Sequence, residues 1–296
     1  MPGHPVPLRL PSGIDLHYFA RGRGEPLIFL HGGMGDCYSW APQMEYFGNS
    51  YHAIAYSRRF NYPNSNLVGA TSHGAQAEAS DLAALLQVLR LGPSHLVGTS
   101  YGALTALTLA VEKPELVRSM VLAEPPLHHA IRDSFDGQML CEQFMTSVWA
   151  PAAKAFSDSE PRTAMRILYD GIWGRRTFDA LGQDTASEIM RNAPSMRALT
   201  MSSKPFPELP LADIRSLRTP ALLVRGENAI RIHRRVNEEL ARCLPNAEEI
   251  VIAGAGHGSA RENAAAFNEA VEAFLQRQRF VDNVATAKTG ARPGSG

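Results

Sequence analysis

Residues 95–111 read HLVGTSYGALTALTLAV, and their pattern gives the clearest indication of how the chain folds. Its first three residues are an apolar run, the next five are a Gly-x-Ser-x-Gly pattern, and residues 103–111 form a long apolar segment. This order predicts a buried strand that turns sharply into a helix. In so tight a turn only small residues, here Gly98 and Gly102, fit two positions before and after the serine. We therefore predict that Ser100 presents its hydroxyl above a sheet.

Short apolar runs of the same kind recur along the chain and predict a parallel sheet covered by helices on both faces. These runs lie at residues 27–30, 52–56, 96–97, 120–122, 221–224 and 249–252. Helical stripes separate or follow them, at residues 79–89, 236–244 and 267–275. Before the first run, residues 6–10 and 14–19 alternate around a Pro-Ser-Gly turn, which predicts an antiparallel hairpin. Strands that alternate with helices indicate an α/β fold.

A glycine-rich loop, HGGMG at residues 31–35, follows the first of the parallel strands. Glycines let the backbone approach a substrate closely, and they leave amide N–H groups free to point at an oxyanion. The amide of Gly33, or else that of Met34, would join the amide of Tyr101 in an oxyanion hole. Taken alone, the loop is equally well explained as a plain turn between a strand and a helix.

A second glycine-rich loop, GAGHG at residues 254–258, follows the last predicted strand and carries His257. A lone histidine after a strand is more often structural than catalytic. This one comes last in the order nucleophile, acid, histidine, and its flanking glycines give a loop able to bring the ring over the sheet. His257 is therefore the candidate base that accepts the proton of Ser100.

With these three motifs in order after the expected strands, the chain resembles the α/β-hydrolase superfamily over about residues 5–277. The resemblance implies an eight-stranded, mostly parallel sheet with a helical cap inserted over its catalytic edge. Residues 127–213 fit the cap, because they show no convincing strand and are rich in aromatic residues and methionine. We expect a hydrolase core of residues 1–126 and 214–278, and a disordered tail of residues 279–296.

The acid of the expected catalytic triad departs from the pattern of most superfamily members. Where most carry an aspartate shortly after the strand that follows the cap, this sequence has Ala229. Some members, such as enzymes resembling zearalenone lactonases, carry a glutamate before the cap instead, and that position is Glu124. We predict that Glu124 fixes the tautomer of His257 and stabilises its imidazolium. Glu227 is the alternative acid, and a hinge residue bonded to backbone amides is the alternative role of Glu124.

Other polar residues near the predicted strand ends are weaker candidates. Arg58 or Arg59 could bind a substrate carboxylate, although pairing with surface or cap carboxylates is the more common arrangement. His128 and His129 open the predicted cap and could line a pocket, although histidines at such positions more often face solvent. Three acidic residues are expected to be surface or structural residues: Glu25, Asp36 and Asp81.

The composition excludes several classes of protein. The 296 residues include 29 basic and 29 acidic side chains, so no basic surface for nucleic acid or anionic lipid is expected. No run approaches the roughly 18 apolar residues of a membrane helix, and the N-terminus lacks the apolar core of a secretory signal. The three cysteines, far apart, suggest neither a disulfide framework nor a zinc site. We expect a cytoplasmic enzyme.

These features predict a serine hydrolase that cleaves a carboxylic ester or lactone through an acyl-serine intermediate. The methionine-rich cap favours a small-molecule substrate with an apolar acyl or alcohol part. No metal or organic cofactor is implied. The alternatives are a non-hydrolytic or carbon–carbon-cleaving member of the fold, and a ligand-binding protein on a hydrolase scaffold. The sequence does not specify an oligomeric state.

Overall fold

In the computed structural model, which describes residues 3–67, 73–174 and 177–290, eight strands form one sheet. The strands are β1 (Val6–Arg9), β2 (Asp15–Arg21), β3 (Pro26–Leu30), β4 (His52–Ser57), β5 (Ser94–Thr99), β6 (Val117–Ala123), β7 (Ala221–Gly226) and β8 (Ala247–Ile252). Their order is β1-β2-β4-β3-β5-β6-β7-β8. The pairings β1–β2 and β2–β4 are antiparallel, and the other five are parallel. The predicted hairpin and the eight-stranded, mostly parallel sheet are confirmed.

Twelve α-helices surround this sheet in the ranges that the structure describes. They are α1 (Ala41–Phe47), α2 (Ala75–Val88), α3 (Tyr101–Glu112), α4 (Phe135–Phe144), α5 (Ala150–Ser157), α6 (Pro161–Trp173), α7 (Gln183–Met190), α8 (Ala193–Thr200), α9 (Leu211–Ser216), α10 (Arg231–Cys243), α11 (Ser259–Glu262) and α12 (Ala264–Gly290). Within the same ranges, none of these helices combines the length and the apolarity needed to cross a lipid bilayer.

Successive residues of the central strands pack into two separate hydrophobic clusters. Leu96 of β5 lies in the cluster that contains Leu82 of α2, whereas Val97 lies in the cluster that contains Phe274 of α12. This division follows from the geometry of a strand, in which neighbouring side chains point to opposite faces of the sheet. Because both faces are covered, the strands are continuously apolar, as the sequence predicts.

Between β6 and β7 the chain leaves the sheet and forms the helical insertion, which we define as residues 127–213. Helices α4 to α8 and part of α9 belong to it, and its described residues contain no strand. Aromatic contacts form its interior: the rings of Trp149 and Phe206 lie 4.7 Å apart, and those of Tyr169 and Trp173 stack at 4.4 Å. The insertion thus has an apolar interior of its own that continues into the core of the sheet.

The C-terminal helix extends further than the sequence patterns indicate. Helix α12 continues to Gly290, whereas a disordered tail is predicted to begin at residue 279. The physical reason is that residues 264–289 contain no glycine or proline to end the helix. Arg279 also pairs with Glu25 and donates to the Ser50 carbonyl at 3.1 Å, which ties this part of the helix to the core. Residues 291–296 of the predicted tail lie outside the described residues.

Candidate active site

The carboxyl ends of the parallel strands bring the predicted motifs to one edge of the sheet. In the register of the sheet, Thr99 at the end of β5 pairs with Ala123 at the end of β6, which pairs with Val224 near the end of β7. Ser100 follows β5 and Glu124 follows β6, while the loops at residues 31–35 and 254–258 follow β3 and β8. This is the edge at which open α/β sheets bind their ligands.

Ser100 occupies a strained turn between β5 and α3. Its φ is +49° and its ψ is −120°, a conformation that is costly for a residue with a side chain. Its N–H donates to the Ala123 carbonyl at 2.7 Å, which fixes the turn to the neighbouring strand. A Cβ atom on Gly98 would lie 2.6 Å from the backbone of α3, and one on Gly102 would lie 2.2 Å from the Leu30 oxygen. Both glycines are therefore required by the turn, as the pattern predicts.

His257 and Glu124 form a buried pair at this edge. Nδ1 of His257 lies 2.7 Å from Oε2 of Glu124, and both side chains are almost fully buried. The other oxygen of Glu124 accepts the N–H of Gly226 at 2.8 Å. Glu124 itself has a φ of +48°, so its backbone is held in an unfavourable conformation. The structure thus brings together His257 and Glu124, which the sequence predicts to act as a pair.

The alternative acid lies elsewhere. Glu227 is exposed, and its carboxylate accepts the N–H of Gly254 at 2.8 Å. Ala229, at the position where most relatives carry the acid, is buried and has no polar side chain. Of the two candidate acids, only Glu124 contacts His257 in the structure.

Two aromatic side chains hold the ring of His257 in addition to Glu124. His233 stacks on it, with ring centroids 4.3 Å apart and planes inclined by 22°. Trp173 meets it edge-on at 5.1 Å, and Nε1 of Trp173 donates to Glu262 at 3.2 Å. The hydrogen bonds of the described residues do not include one between His257 and Ser100, although both residues line the same cavity. The sequence patterns mark neither His233 nor Trp173.

Buried asparagines hold the loop at residues 31–35. Nδ2 of Asn61 donates to two carbonyl oxygens of this loop, at 2.8 and 3.0 Å, and Nδ2 of Asn192 lies 3.3 Å from a third. In the part of the chain that the structure describes, the amide N–H groups of Gly33, Met34 and Tyr101 are paired with no acceptor. All three residues line the cavity beside Ser100. No sequence pattern marks Asn61 or Asn192, because an isolated asparagine that donates to backbone carbonyl groups belongs to no recognisable motif.

Beneath this loop lies a buried ion pair. Arg58 pairs with Glu78 of α2, donates to the Gly32 carbonyl at 3.1 Å, and lies 5.0 Å from the centre of the Tyr101 ring. Burial alone would raise the pKa of Glu78, but the Arg58 guanidinium and the nearby His73 outweigh burial and lower it to about 2. The carboxylate is therefore charged at neutral pH.

The partners of Arg58 and Arg59 differ from the expected surface or cap carboxylates. Arg59 binds both oxygens of Asp81, which lies on α2 like Glu78 and is buried. Both arginines are thus engaged by a helix of the sheet layer, which also makes Asp81 a structural residue. A substrate carboxylate would have to compete with these pairs.

A cavity of about 680 Å³ lies between this edge and the helical insertion. Most of its wall is apolar or aromatic, and the insertion supplies much of it, including Phe144, Trp149 and Met196. His128 is also buried in the wall rather than exposed, and burial lowers its pKa to about 3. His129 instead lies 2.7 Å from the Leu209 carbonyl. Cavities that bind small molecules usually have such mostly apolar walls with a few polar groups.

Two ion pairs lie in the cavity wall. Arg191 binds both oxygens of the buried Asp36, at 2.7 and 3.0 Å, and Arg261 binds Glu188 at 3.0 Å. Asp36 also accepts the N–H of Tyr38, so it has the structural role that the sequence suggests.

One cluster near the cavity contains side chains of the kinds that bind metal ions. Glu124, His233 and His257 offer ligand atoms that all lie within 4.8 Å of one another. However, the two imidazole rings are stacked, so their in-plane lone pairs lie in nearly parallel planes and do not converge on a single point. Glu124 and His257 are also already bonded to each other. The geometry fits an acid–histidine pair better than a metal centre.

The sequence profile of the alpha/beta hydrolase family matches residues 27–270. The chain is 34% identical over 119 residues to (E)-2-((N-methylformamido)methylene)succinate hydrolase of Acinetobacter baylyi, a match that spans 39% of the chain and 43% of that relative. It is 25% identical to 2-hydroxy-6-oxononadienedioate/2-hydroxy-6-oxononatrienedioate hydrolase of Burkholderia vietnamiensis, over 89% of the chain and 92% of that protein. A thermophilic esterase from Thermogutta terrifontis has the same fold, with a TM-score of 0.71 at 20% identity over 93% of this chain and 99% of that one.

Proposed function

Because the chain belongs to the alpha/beta hydrolase family, we propose that it is a serine hydrolase that cleaves a carboxylic ester or lactone. The observation that carries this proposal is the position of Ser100, in a strained turn, at the same cavity as the buried His257–Glu124 pair. A nucleophilic serine needs a base within reach and a third group that orients the base. These three residues supply those roles at one edge of the sheet.

In the proposed reaction, His257 takes the proton of Ser100 as the serine oxygen attacks the substrate carbonyl. The amides of Gly33 and Tyr101, with Met34 as the alternative to Gly33, hold the negative charge that develops on the carbonyl oxygen. His257 then gives its proton to the leaving alcohol, which leaves an acyl-serine. Water attacks this ester while His257 takes its proton, and the carboxylic acid departs as Ser100 regains its proton.

The substrate is proposed to carry an apolar acyl or alcohol part. The cavity wall is mostly apolar, and the arginines identified in it, Arg191 and Arg261, are paired with Asp36 and Glu188. The helical insertion would then act as a cap that shapes the cavity, as the division of the chain into core and cap suggests. The Thermogutta terrifontis protein of the same fold is an esterase, which agrees with this proposal.

The test is an assay of purified protein against nitrophenyl esters of increasing acyl length, together with one lactone. We expect turnover by the unaltered protein, and a loss of at least about a thousandfold in Ser100→Ala because the nucleophile is removed. Ser80→Ala, at an exposed serine of α2, is the matched control and should retain full activity.

A second candidate is hydrolysis of a carbon–carbon bond, which is favoured by the relative named as a hydrolase of 2-hydroxy-6-oxononadienedioate and 2-hydroxy-6-oxononatrienedioate. Turnover of such a compound with no turnover of any ester would replace the ester proposal. Tight binding of a ligand without turnover of either class would instead support a binding protein on the hydrolase scaffold.

A further inference from the structure

His233 lies against the proposed base but has no part in the reaction described above. It is in the first turn of α10, four residues after Ala229, the position near which most members of the superfamily carry their acid. Its side chain is buried, and its ring stacks on that of His257 with a centroid separation of 4.3 Å. The chain thus has a carboxylate at one edge of the His257 ring and a second imidazole on its face.

The contacts of His233 define its protonation state. Nε2 lies 3.2 Å from the Ile172 carbonyl, an acceptor only, so Nε2 carries the hydrogen of this bond. Nδ1 has no partner among the described residues, and it is buried. Burial lowers the pKa of His233, and the neighbouring His257 lowers it further. His233 is therefore a neutral imidazole, protonated on Nε2.

The ring of His257 is fixed on three sides. Glu124 holds Nδ1, His233 covers one face, and Trp173 meets the ring edge-on. The titratable groups identified around it, in the ranges that the structure describes, are Glu124 after β6, His233 on α10 and Glu262 on α11, which contacts Trp173. Of these three groups, His233 is the one that contacts the face of the His257 ring, and its imidazole is uncharged.

We propose that His233 is a positioning residue that stabilises the imidazolium form of His257 through its π face. The proposal rests on the proposed acyl transfer, in which His257 becomes positively charged only after it takes the proton of Ser100. A cation over an aromatic face is attracted by the quadrupole of the ring, most strongly where water is excluded. Because this charge is absent from the ground state, the contact stabilises the transition state more than the bound substrate.

Two variants separate the aromatic face from the hydrogen bond to the insertion. His233→Phe keeps an aromatic face but cannot donate to the Ile172 carbonyl, whereas His233→Gln keeps an N–H donor but has no aromatic face. We expect His233→Gln to lower kcat about tenfold with little change in KM. We also expect the midpoint for protonation of His257, followed by NMR of ¹⁵N-labelled histidine, to move about one pH unit lower, since the charged form is less stabilised. His233→Phe should stay close to the unaltered protein in both measurements.

The control is Val236→Ala, one turn further along α10 at a buried position. It should lower the melting temperature without moving the midpoint of His257, which separates damage to the helix from the proposed effect. If His233→Gln does not fold, as judged by its melting curve, His233→Leu takes its place.

The proposal is overturned if the midpoint of His257 is unchanged in His233→Gln, or if His233→Phe loses as much activity as His233→Gln. The NMR titration needs no substrate, so it tests this contact even if no ester is turned over. A failed ester assay with a shifted midpoint would therefore contradict the proposed function and leave the contact supported.

Discussion

The carboxylate of Glu124 has two partners, and each accounts for one feature of the site. Oε1 accepts the Gly226 N–H at 2.8 Å, which fixes the carboxylate against the end of β7. Oε2 then faces Nδ1 of His257 at 2.7 Å, which requires the hydrogen to be on Nδ1 and leaves Nε2 free to act as a base. The strained φ of +48° at Glu124 is the cost of this placement.

Replacing Glu124 tests whether it is the acid of the site. Glu124→Gln keeps the shape but removes the negative charge that would stabilise the imidazolium, so kcat should fall by about a thousandfold or more. Glu227→Gln is the matched control and should change kcat little, because Glu227 is exposed and contacts the Gly254 N–H. Steady-state kinetics with a nitrophenyl ester measures both. A larger loss in Glu227→Gln would mean that the pair seen in the structure is not the catalytic one.

For individual residues, the sequence predicts the site residues that directly follow strands, but not the residues that hold those side chains and loops in place. Glu124 and His257 can be found because each comes directly after a predicted strand, and parallel strands end at the same edge. His233 cannot, because its contact with His257 depends on how α10 docks on the sheet. Asn61 and Asn192 cannot, because a single asparagine in a loop gives no periodic or motif signal.

Among the elements, the helical insertion and the loop at residues 31–35 are joined by buried polar contacts. Asn192, just before α8, binds the Met34 carbonyl and the Asp36 carboxylate. Ser195 of α8 donates to Oδ1 of Asn61 at 2.9 Å, and this orients the Asn61 amide so that its N–H groups face the loop. The insertion therefore positions the backbone proposed to stabilise the oxyanion, as well as forming the cavity wall.

Asn61→Asp tests this link with almost no change in volume. An aspartate has no N–H to donate, so the carbonyl oxygens of Gly33 and Gly35 lose their partner and face a carboxylate oxygen instead. We expect the free energy of unfolding to fall by about 1–3 kcal/mol and kcat to fall about tenfold or more as the loop loses its position. Asn49→Asp, at an exposed asparagine of the turn after α1, is the control. Chemical denaturation and ester kinetics measure the two effects, and an unaltered kcat would show that the loop keeps its position without Asn61.

The boundaries of elements are predicted less well than their existence. Helix α2 begins at Ala75, whereas the predicted apolar stripe begins only at residue 79. Ala75 and Glu78 are also buried, so the buried face of the helix starts earlier than the apolar residues indicate. A charged residue such as Glu78 is expected to be exposed when only periodicity is considered, and its burial depends on Arg58, which is distant in sequence. Likewise, the continuation of α12 past residue 279 has no hydrophobic stripe to indicate it.

In the molecule as a whole, buried histidines link folding to pH. His31, His95 and His128 are almost fully buried, and burial, as the largest cause, lowers their pKa values to about 3, 4 and 3. The contacts of His31 require the neutral ring, since Nε2 accepts the Arg58 N–H at 3.0 Å. In the unfolded chain each ring would titrate near its ordinary pKa of about 6.5. The unfolded state therefore binds more protons than the folded state between about pH 4 and pH 6.5.

This difference predicts that stability is lost on acidification well before the carboxylates titrate. Because the histidine pKa values are lower in the folded state, their contribution is fully present above about pH 6.5 and declines below it, by about 1.4 kcal/mol per pH unit for each residue. Urea unfolding at pH 8, 7, 6 and 5 should give similar free energies at the two higher values and a steep fall at the two lower ones. His95→Gln removes one of these buried histidines, at a position in β5 remote from the cavity, so the fall in stability below pH 6.5 should be smaller by about 1.4 kcal/mol per pH unit. A free energy of unfolding that stays constant from pH 7 to pH 5 would contradict the neutral, buried state of these rings. If the rings stay neutral in the folded state, proton uptake by the unfolded chain must lower the free energy of unfolding over this range.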